Sequence, residues 1–369
     1  MGVSDRYDRG RQLFLEDPVR AVLVVIAVIL VLDLVRQLAV GQTQISEFGV
    51  MLKEGLMQGL FFGLAGIGLS MTYSILNFAN FSHGDFITSG AFAGMVVTYV
   101  IAGGFGAEAD IGSLALVGAD GSVYGAQLGI GVATTPLAVV AGAVVAGVAT
   151  VLLALFIDRL VYRPIRDRSG IALLITSIGV AFALRYLIQF VFGPSRRGVT
   201  DSEAVPSVDI DGIVSVNLHE VSLLVVSVLL MLGLHLLLQR TQLGKAMRAM
   251  ADNEDLARIT GIPTERVVRF TWIIGASLAG VAGYMFVLWN GTLHWFQGWI
   301  LLLPIFAAVI LGGIGSVYGA IVGGLVIGLT MSISIVWIPS GLARAAAFLL
   351  MIVVLLVRPE GIFAGRSTA

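Results

Sequence analysis

The stretch Phe270-Thr-Trp-Ile-Ile-Gly-Ala-Ser-Leu-Ala-Gly-Val-Ala-Gly-Tyr-Met-Phe-Val-Leu288 holds no Asp, Glu, Lys or Arg, and it opens a tract of 74 residues, Phe270 to Ala343, in which none occurs. About 20 apolar residues in a helix cross the hydrocarbon core of a bilayer, so this tract alone accommodates more than one crossing. Further charge-free runs cover Gly55–Ser82, Phe86–Ala107 and Gly121–Ile157. Of the 369 residues 57% are hydrophobic and 12% charged, where a water-soluble domain carries about 25% charged residues. In lipid the backbone has to satisfy its own hydrogen bonds, and runs this long and non-alternating favour helices over barrel strands. The fold class that follows is an all-α polytopic membrane protein, a helical bundle of about 8–10 membrane elements, some short or broken.

Working outward, the candidate crossings are Val19–Leu38, Gly55–Ile75, Phe86–Gly103, Thr135–Ile157, Ile171–Phe192, Val221–Leu238 and Thr271–Leu288, then an apolar block Trp299–Trp337 and a last segment Leu342–Val357. Lys and Arg favour the cytoplasmic side of a membrane protein. With the N-terminus inside, sixteen of the 22 bases fall on one side, in the segments around Arg6–Arg20, Arg159–Arg168, Arg240–Arg269 and Arg358–Arg366. The opposite side receives Arg36, Lys53, Arg196 and Arg197, leaving Arg185 and Arg344. Seven alternating crossings follow. The end is open, because Gly312-Gly-Ile-Gly-Ser316 interrupts the last block, and two short helices there give ten elements with the tail inside whereas one continuous treatment gives eight or nine.

Arg9, Arg11 and Arg20 flank an apolar run ahead of Ala39-x-Gly41, a signal-peptide pattern, but a retained first helix is the expectation. The organisation expected is therefore a cytoplasmic N-terminal segment 1–18, a membrane domain 19–357 and a cytoplasmic tail 358–369. The segments Gly104–Thr134 and Gly193–Glu220 on the opposite side are too short for a core of their own and are expected to form caps or short surface helices.

A net charge of −1 without a basic stripe removes nucleic acid as a partner. With no Cys and four His far apart (83, 219, 235 and 294), no metal-ligand spacing is present. There is no Gly-x-x-x-x-Gly-Lys-Ser/Thr phosphate loop, so the chain is not expected to hydrolyse ATP, and no facing Asp pair or His-Glu-x-x-His marks an intramembrane enzyme.

The most informative polar segment is Gln239–Arg269. Leu243, Met247 and Met250 recur at helical spacing, and Ala246, Ala249 and Ala251 allow a close approach. Asp252 or Asn253 can cap a second helix that Gly261 stops before Pro263. Two short helices with a tight corner form a knob below the membrane. It is either an amphipathic connector at the headgroups or a docking element; bases mixed with Asp252, Glu254, Asp255 and Glu265 suit a protein surface better than an anionic bilayer.

Here the sequence resembles the permease subunits of branched-chain amino acid ABC importers, the LivH/LivM type and most like LivH. Gly244-Lys-Ala-Met-Arg-Ala249 and Ala257-Arg-Ile-Thr-Gly261 are similar to that family's coupling loop. The resemblance implies corner roles for Gly244 and Gly261 and close contacts to an ATPase for Ala246, Ala249 and Ala257. It continues through Asn80-Phe-Ser-His-Gly-Asp85, where the family's run has Ala and Glu in place of Ser82 and Asp85, then Pro164-Ile-Arg, Leu174–Gly179, Ile274–Gly283 and Ala307–Ala320, covering roughly 53 to 355 in the family's order. It implies import of branched-chain amino acids or a related small solute such as urea or short-chain amides, delivered by an external solute-binding protein. The expected partners are a LivM-like permease or second permease copy and two cytoplasmic ATPase subunits that use the ATP; no cofactor is implied for this chain. The resulting localisation is multi-pass in the cell membrane.

On the residues themselves, Gly315, Gly319 and Gly323 recur every four positions, as do Gly324 and Gly328, and Gly275 with Ala279 and Gly283 forms a second small-residue face; both predict helix packing. The polar run Asn77–Asp85 reads as a turn that ends one helix and caps the next. Asn80, Ser82, His83, Thr176, Ser177 and Arg185 are the candidates for a solute path. Thr176 and Ser177 either bond their own helix or line that path, and Arg185 either receives a carboxylate or snorkels to the surface. Trp289, Trp295 and Trp299 read as interface anchors. The competing function is a self-sufficient secondary transporter or channel, which calls for carboxylates near the midplane; Asp33 and Asp85 are placed near span ends.

Overall fold

The computed structural model describes residues 18–104, 129–200 and 205–363. Most of the 104–134 segment and much of both terminal segments lie outside them. Among the described residues nine helices are long and apolar enough to cross a membrane, and a tenth apolar helix is shorter. In chain order they are α1 (Pro18–Val40), α2 (Ile45–Leu76), α3 (His83–Ala102), α4 (Pro136–Ile157), α5 (Gly170–Phe192), α6 (Leu218–Arg240), the short α7 (Gln242–Asp252) and α8 (Glu254–Ile259), then α9 (Thr264–Asn290), α10 (Gln297–Gly312), α11 (Val317–Ile333) and α12 (Ala343–Val357). The open count at the end resolves as two helices, α10 and α11, broken at Gly313–Ser316.

Two helices form the centre. α2 and α9 are largely buried, whereas α1 is mostly exposed over 22–40 and α12 buries only Ala343 and Ala347. Because lipid is as apolar as leucine, helices associate here through close backbone packing rather than through exclusion of water. The glycines supply that packing on two adjacent stripes of α11. Gly319 and Gly323 face the backbone of α10 at Gly312 and Ala308, while Gly324 and Gly328 face α2 at Gly63 and Gly59. On α9, Gly275 lies against the Gly68 carbonyl of α2 and Gly283 against Ile87 of α3. Gly315 departs from the expected packing stripe: it sits in the turn before α11 with φ +87°, a conformation glycine adopts without penalty.

α4 runs on through a π turn, Asp158–Tyr162, and a 3₁₀ turn, Arg163–Ile165. At the same end Arg166 bonds Asp158 and Glu265, each at 2.8 Å, fastening the link before α5 to the start of α9. This end, the basic end, carries the bases Arg159–Arg168 and Arg240–Arg269. At the opposite end the segment after α5 forms strands in place of short surface helices. β1 (Arg197–Gly198) pairs β4 (Thr292–Leu293), and β2 (Ser207–Ile210) forms an antiparallel hairpin with β3 (Val214–Asn217), in register Ser207 to Asn217. Asp211 and Gly212, both at positive φ, make its turn, as such hairpin turns require.

Candidate functional site

The polar run after α2 does more than turn the chain. Asn77 ends α2 in the left-handed region, φ +53°, which asparagine tolerates. The chain then rises beside α5 in non-helical form. The Phe81 N–H donates to Ser177 Oγ at 3.0 Å, and Ser177 Oγ donates to the Leu174 carbonyl at 2.7 Å. α3 begins only at His83, whose Nε2 meets the Ala65 carbonyl, eleven residues before the end of α2, at 2.9 Å. With about 1.5 Å rise per residue, Ser177 lies about 10 Å along α5 from the basic end and Arg185 about 22 Å. α3 therefore starts inside the bundle. Irregular backbone at such depth is tolerated where protein surrounds it, and Asn80, Ser82, His83 and Asp85 are all essentially buried.

The polar side chains of this break bond one another. Asn80 Oδ1 accepts from the Ser82 N–H and Ser82 Oγ, at 3.1 and 2.6 Å, and Ser82 Oγ lies 2.9 Å from Tyr162 Oη. The π turn brings Tyr162 here, since one added residue in a helical turn rotates a side chain off its ordinary stripe. Tyr162 also stacks on Trp272, centroids 5.4 Å apart. Two buried donors, Asn80 Nδ2 and Trp272 Nε1, have no hydrogen-bond partner among the described residues. Thr176 is half-buried and outside this network.

Arg185 does not snorkel. Its Nε and Nη2 donate to the two oxygens of Asp85 at 3.1 and 2.9 Å, and the residues are 2% and 0% exposed. Asp85 is thus deep rather than near a surface, at the start of a helix that itself begins deep. The guanidinium also lies 4.2 Å from the Trp299 ring centroid and 5.2 Å from those of Phe182 and Phe296, a cation–π arrangement. Trp299 accordingly roofs a buried cation instead of anchoring at an interface. α10 reaches this point through Gly298, whose N–H donates to Thr88 Oγ1 at 2.9 Å, with no room for a side chain against the Gly84 carbonyl.

At the basic end α7 and α8 form the two-helix knob. Thr241 Oγ1 accepts from the Gly244 N–H at 3.1 Å and Asn253 Oδ1 from the Leu256 N–H at 2.9 Å, capping each helix. Gly244 is buried against the Leu238 backbone, and Gly261 turns the chain at φ +88°, as corner residues do. Ala246 and Ala249 are half-buried, and Ala257 is 2% exposed, so Ala257 faces the bundle and offers no outward contact. The outward apolar residues are Leu256 and Ile259, 56% and 81% exposed. Sequence reasoning passed over them; their position one and two residues from Ala257, on the opposite face of a one-turn helix, is the signal that marks them.

Among the described residues no group of three His, Cys, Asp or Glu is placed to hold a metal ion. A multi-helix bundle with nine apolar helices long enough to span a membrane among the described residues, a break deep in its interior and a capped knob at one end defines a polytopic membrane protein. The chain belongs to the branched-chain amino acid transport permease family: the family described as "Branched-chain amino acid transport system / permease component" matches residues 51–357. The chain is 29% identical over 312 residues to the high-affinity branched-chain amino acid transport system permease protein LivH of Escherichia coli (strain K12), covering 84% of this chain and 93% of that one. It is 28% identical over 315 residues to BraD of Pseudomonas aeruginosa, covering 84% and 94%. A chain of PsaBC from Streptococcus pneumoniae, solved in complex with Fab, aligns over 91% of this chain and 97% of its own at 15% identity and a TM-score of 0.41, too low to equate the folds.

Proposed function

We propose that this permease carries branched-chain amino acids, or a related small solute such as urea or a short-chain amide, from an external binding protein to the cytoplasm, driven by two ATPase subunits. A LivM-like permease or a second copy completes the membrane pair. Residues 19–357 form the permease domain, with the segments 1–18 and 358–369 on the cytoplasmic side. In this reading the basic end faces the cytoplasm, since its two segments alone hold ten of the 22 Lys and Arg.

The observation that carries the reading is the knob 239–269, rigidly cornered at Gly244 and Gly261 and presenting Leu256 and Ile259 outward. In this assignment Ala246 and Ala249 seat α7 on the bundle, Ala257 seats α8, and the exposed pair enters a groove on the ATPase. The solute path follows the break past Asn80, Ser82, His83, Thr176, Ser177 and Arg185, where the free donors Asn80 Nδ2 and Trp272 Nε1 offer hydrogen bonds to a passing solute. His83 and Arg185 shape the path while bonded to Ala65 and Asp85. Asp85 is a deep carboxylate of the kind a secondary transporter needs, but its two oxygens are held by Arg185, which favours an energy source outside this chain.

The test is association. Ile259→Asp places a charge on the outward face without touching the core, and the ATPase subunits are expected to be lost from the purified complex while the chain keeps its helicity. Retention of the ATPase at wild-type stoichiometry, with uptake unchanged, removes the knob from the coupling role.

A further inference from the structure

A cleft of about 600 Å³ opens between α2, α11 and the start of α12, within the roughly 300–1,000 Å³ typical of small-molecule sites. It lies apart from the break and the knob, at the end that carries the β2–β3 hairpin. Glu54, Gln58 and Arg344 line it together with apolar Val50, Met331 and Ile335. Neighbouring Lys53 is committed elsewhere, with its ammonium 2.7 Å from Glu220 and 2.9 Å from the Ser215 carbonyl, so Glu54 keeps only a 3.8 Å contact to it. Arg344 has no hydrogen bond or ion pair among the described residues. It is the second residue of α12, whose first turn no side chain caps. A cation at a helix N-terminus adds to the partial positive charge already there, so the position favours an anionic oxygen. An unengaged base and a nearly unengaged acid thus share one cleft without meeting, with an apolar wall beside them.

We infer that this cleft binds a zwitterion, its anionic oxygen at Arg344, its ammonium at Glu54 and Gln58, and an aliphatic part against Met331 and Ile335. A free amino acid has this chemistry; so does the ammonium and phosphate of an ethanolamine lipid headgroup. The choice of amino acid as first occupant rests on the import reading.

The full chain in phosphatidylglycerol nanodiscs is titrated with radiolabelled leucine by scintillation proximity. A parallel set of nanodiscs contains phosphatidylethanolamine, with retained lipid counted by native mass spectrometry. The expected result is saturable leucine binding, weakened about tenfold or more by Arg344→Gln and by Glu54→Gln, as loss of one charge-assisted contact implies, and weakened less by Arg344→Lys. Both side chains are at least partly exposed, and unchanged gel-filtration profiles verify that the variants fold. Ethanolamine lipid retained without leucine binding, and lost in the same variants, supports the zwitterion site with the headgroup as occupant. Binding of neither probe, or binding indifferent to both substitutions, overturns it. ATP-driven uptake separates the two claims. Uptake with no leucine or lipid bound at the cleft discards the cleft alone, while cleft binding without ATP-driven uptake discards the import reading alone.

Discussion

Two acid–base pairs in this protein have opposite arrangements. Asp85 and Arg185, one hundred residues apart in sequence, meet with both carboxylate oxygens engaged, beneath the rings of Phe182, Phe296 and Trp299. Glu54 and Arg344 line one cleft and do not join. The difference follows from depth. A charge in the interior has no water to fall back on, so it is neutralised in place by a partner and by aromatic faces. Near an end of the bundle a charge stays hydrated and is free for a ligand. In this membrane protein the deep pair therefore holds helices, and the outer pair is available to bind.

The largest expected effect tests the deep pair. Arg185→Ala leaves the Asp85 carboxylate buried and unpaired, and about 3–5 kcal/mol of stability should be lost, measured as unfolding of the purified chain in detergent. The double change Asp85→Leu with Arg185→Met should recover much of it, since replacing both charges removes the desolvation cost. If the single change is silent, the pair is not holding α3, α5 and α10 together. By contrast, Arg344→Gln should leave the unfolding midpoint where it is.

The next effect concerns packing rather than charge. Gly324→Leu forces a side chain into the α2 backbone at Gly63 and Gly59 and should cost about 1–3 kcal/mol or more, whereas a similar change at Gly179, where nothing stands within 4 Å, should be nearly neutral. Equal losses at both sites contradict a specific α2–α11 contact.

The smallest effect is a pH dependence where α10 begins. Burial, with Arg196 nearby, holds the His294 imidazole below its ordinary value, and its Nδ1 accepts from the Phe296 N–H at 3.3 Å, which requires that nitrogen unprotonated. The unfolded chain then binds the proton more readily. Stability from this group is complete above the ordinary histidine pKa near 6.5 and falls as pH drops below it. A small loss of melting temperature between pH 7 and 5 should be larger in wild type than in His294→Gln.

Much of this architecture is legible in sequence because lipid imposes one rule on every span. The Ile171–Phe192 expectation differs from α5 by one residue, since apolar length alone sets it. α2 begins ten residues earlier than expected. Glu47 accepts from the Gln44 N–H at 3.1 Å and Lys53 is paired with Glu220, so charged turns remain helical beyond the apolar core. The site was half visible. Arg185 stands out as a base within an apolar run, but its partner Asp85 does not, because the run 77–85 looks like a surface turn until the depth at which α3 starts is known. The π turn at Asp158–Tyr162 has no sequence signature, and with it went the placement of Tyr162 on Ser82. Ala257 and Trp299 show the limit of residue type as a guide. A small residue on a one-turn helix and a tryptophan near a loop can each face inward, and only packing decides which way they turn.

The most direct test of the account is uptake of radiolabelled leucine into proteoliposomes containing this chain, its permease partner and the two ATPase subunits, with the external binding protein supplied. Uptake that requires ATP and the binding protein, and that ceases with Ile259→Asp while the chain remains folded, is the predicted result. Leucine entering vesicles that hold this chain alone, without ATP, would contradict it.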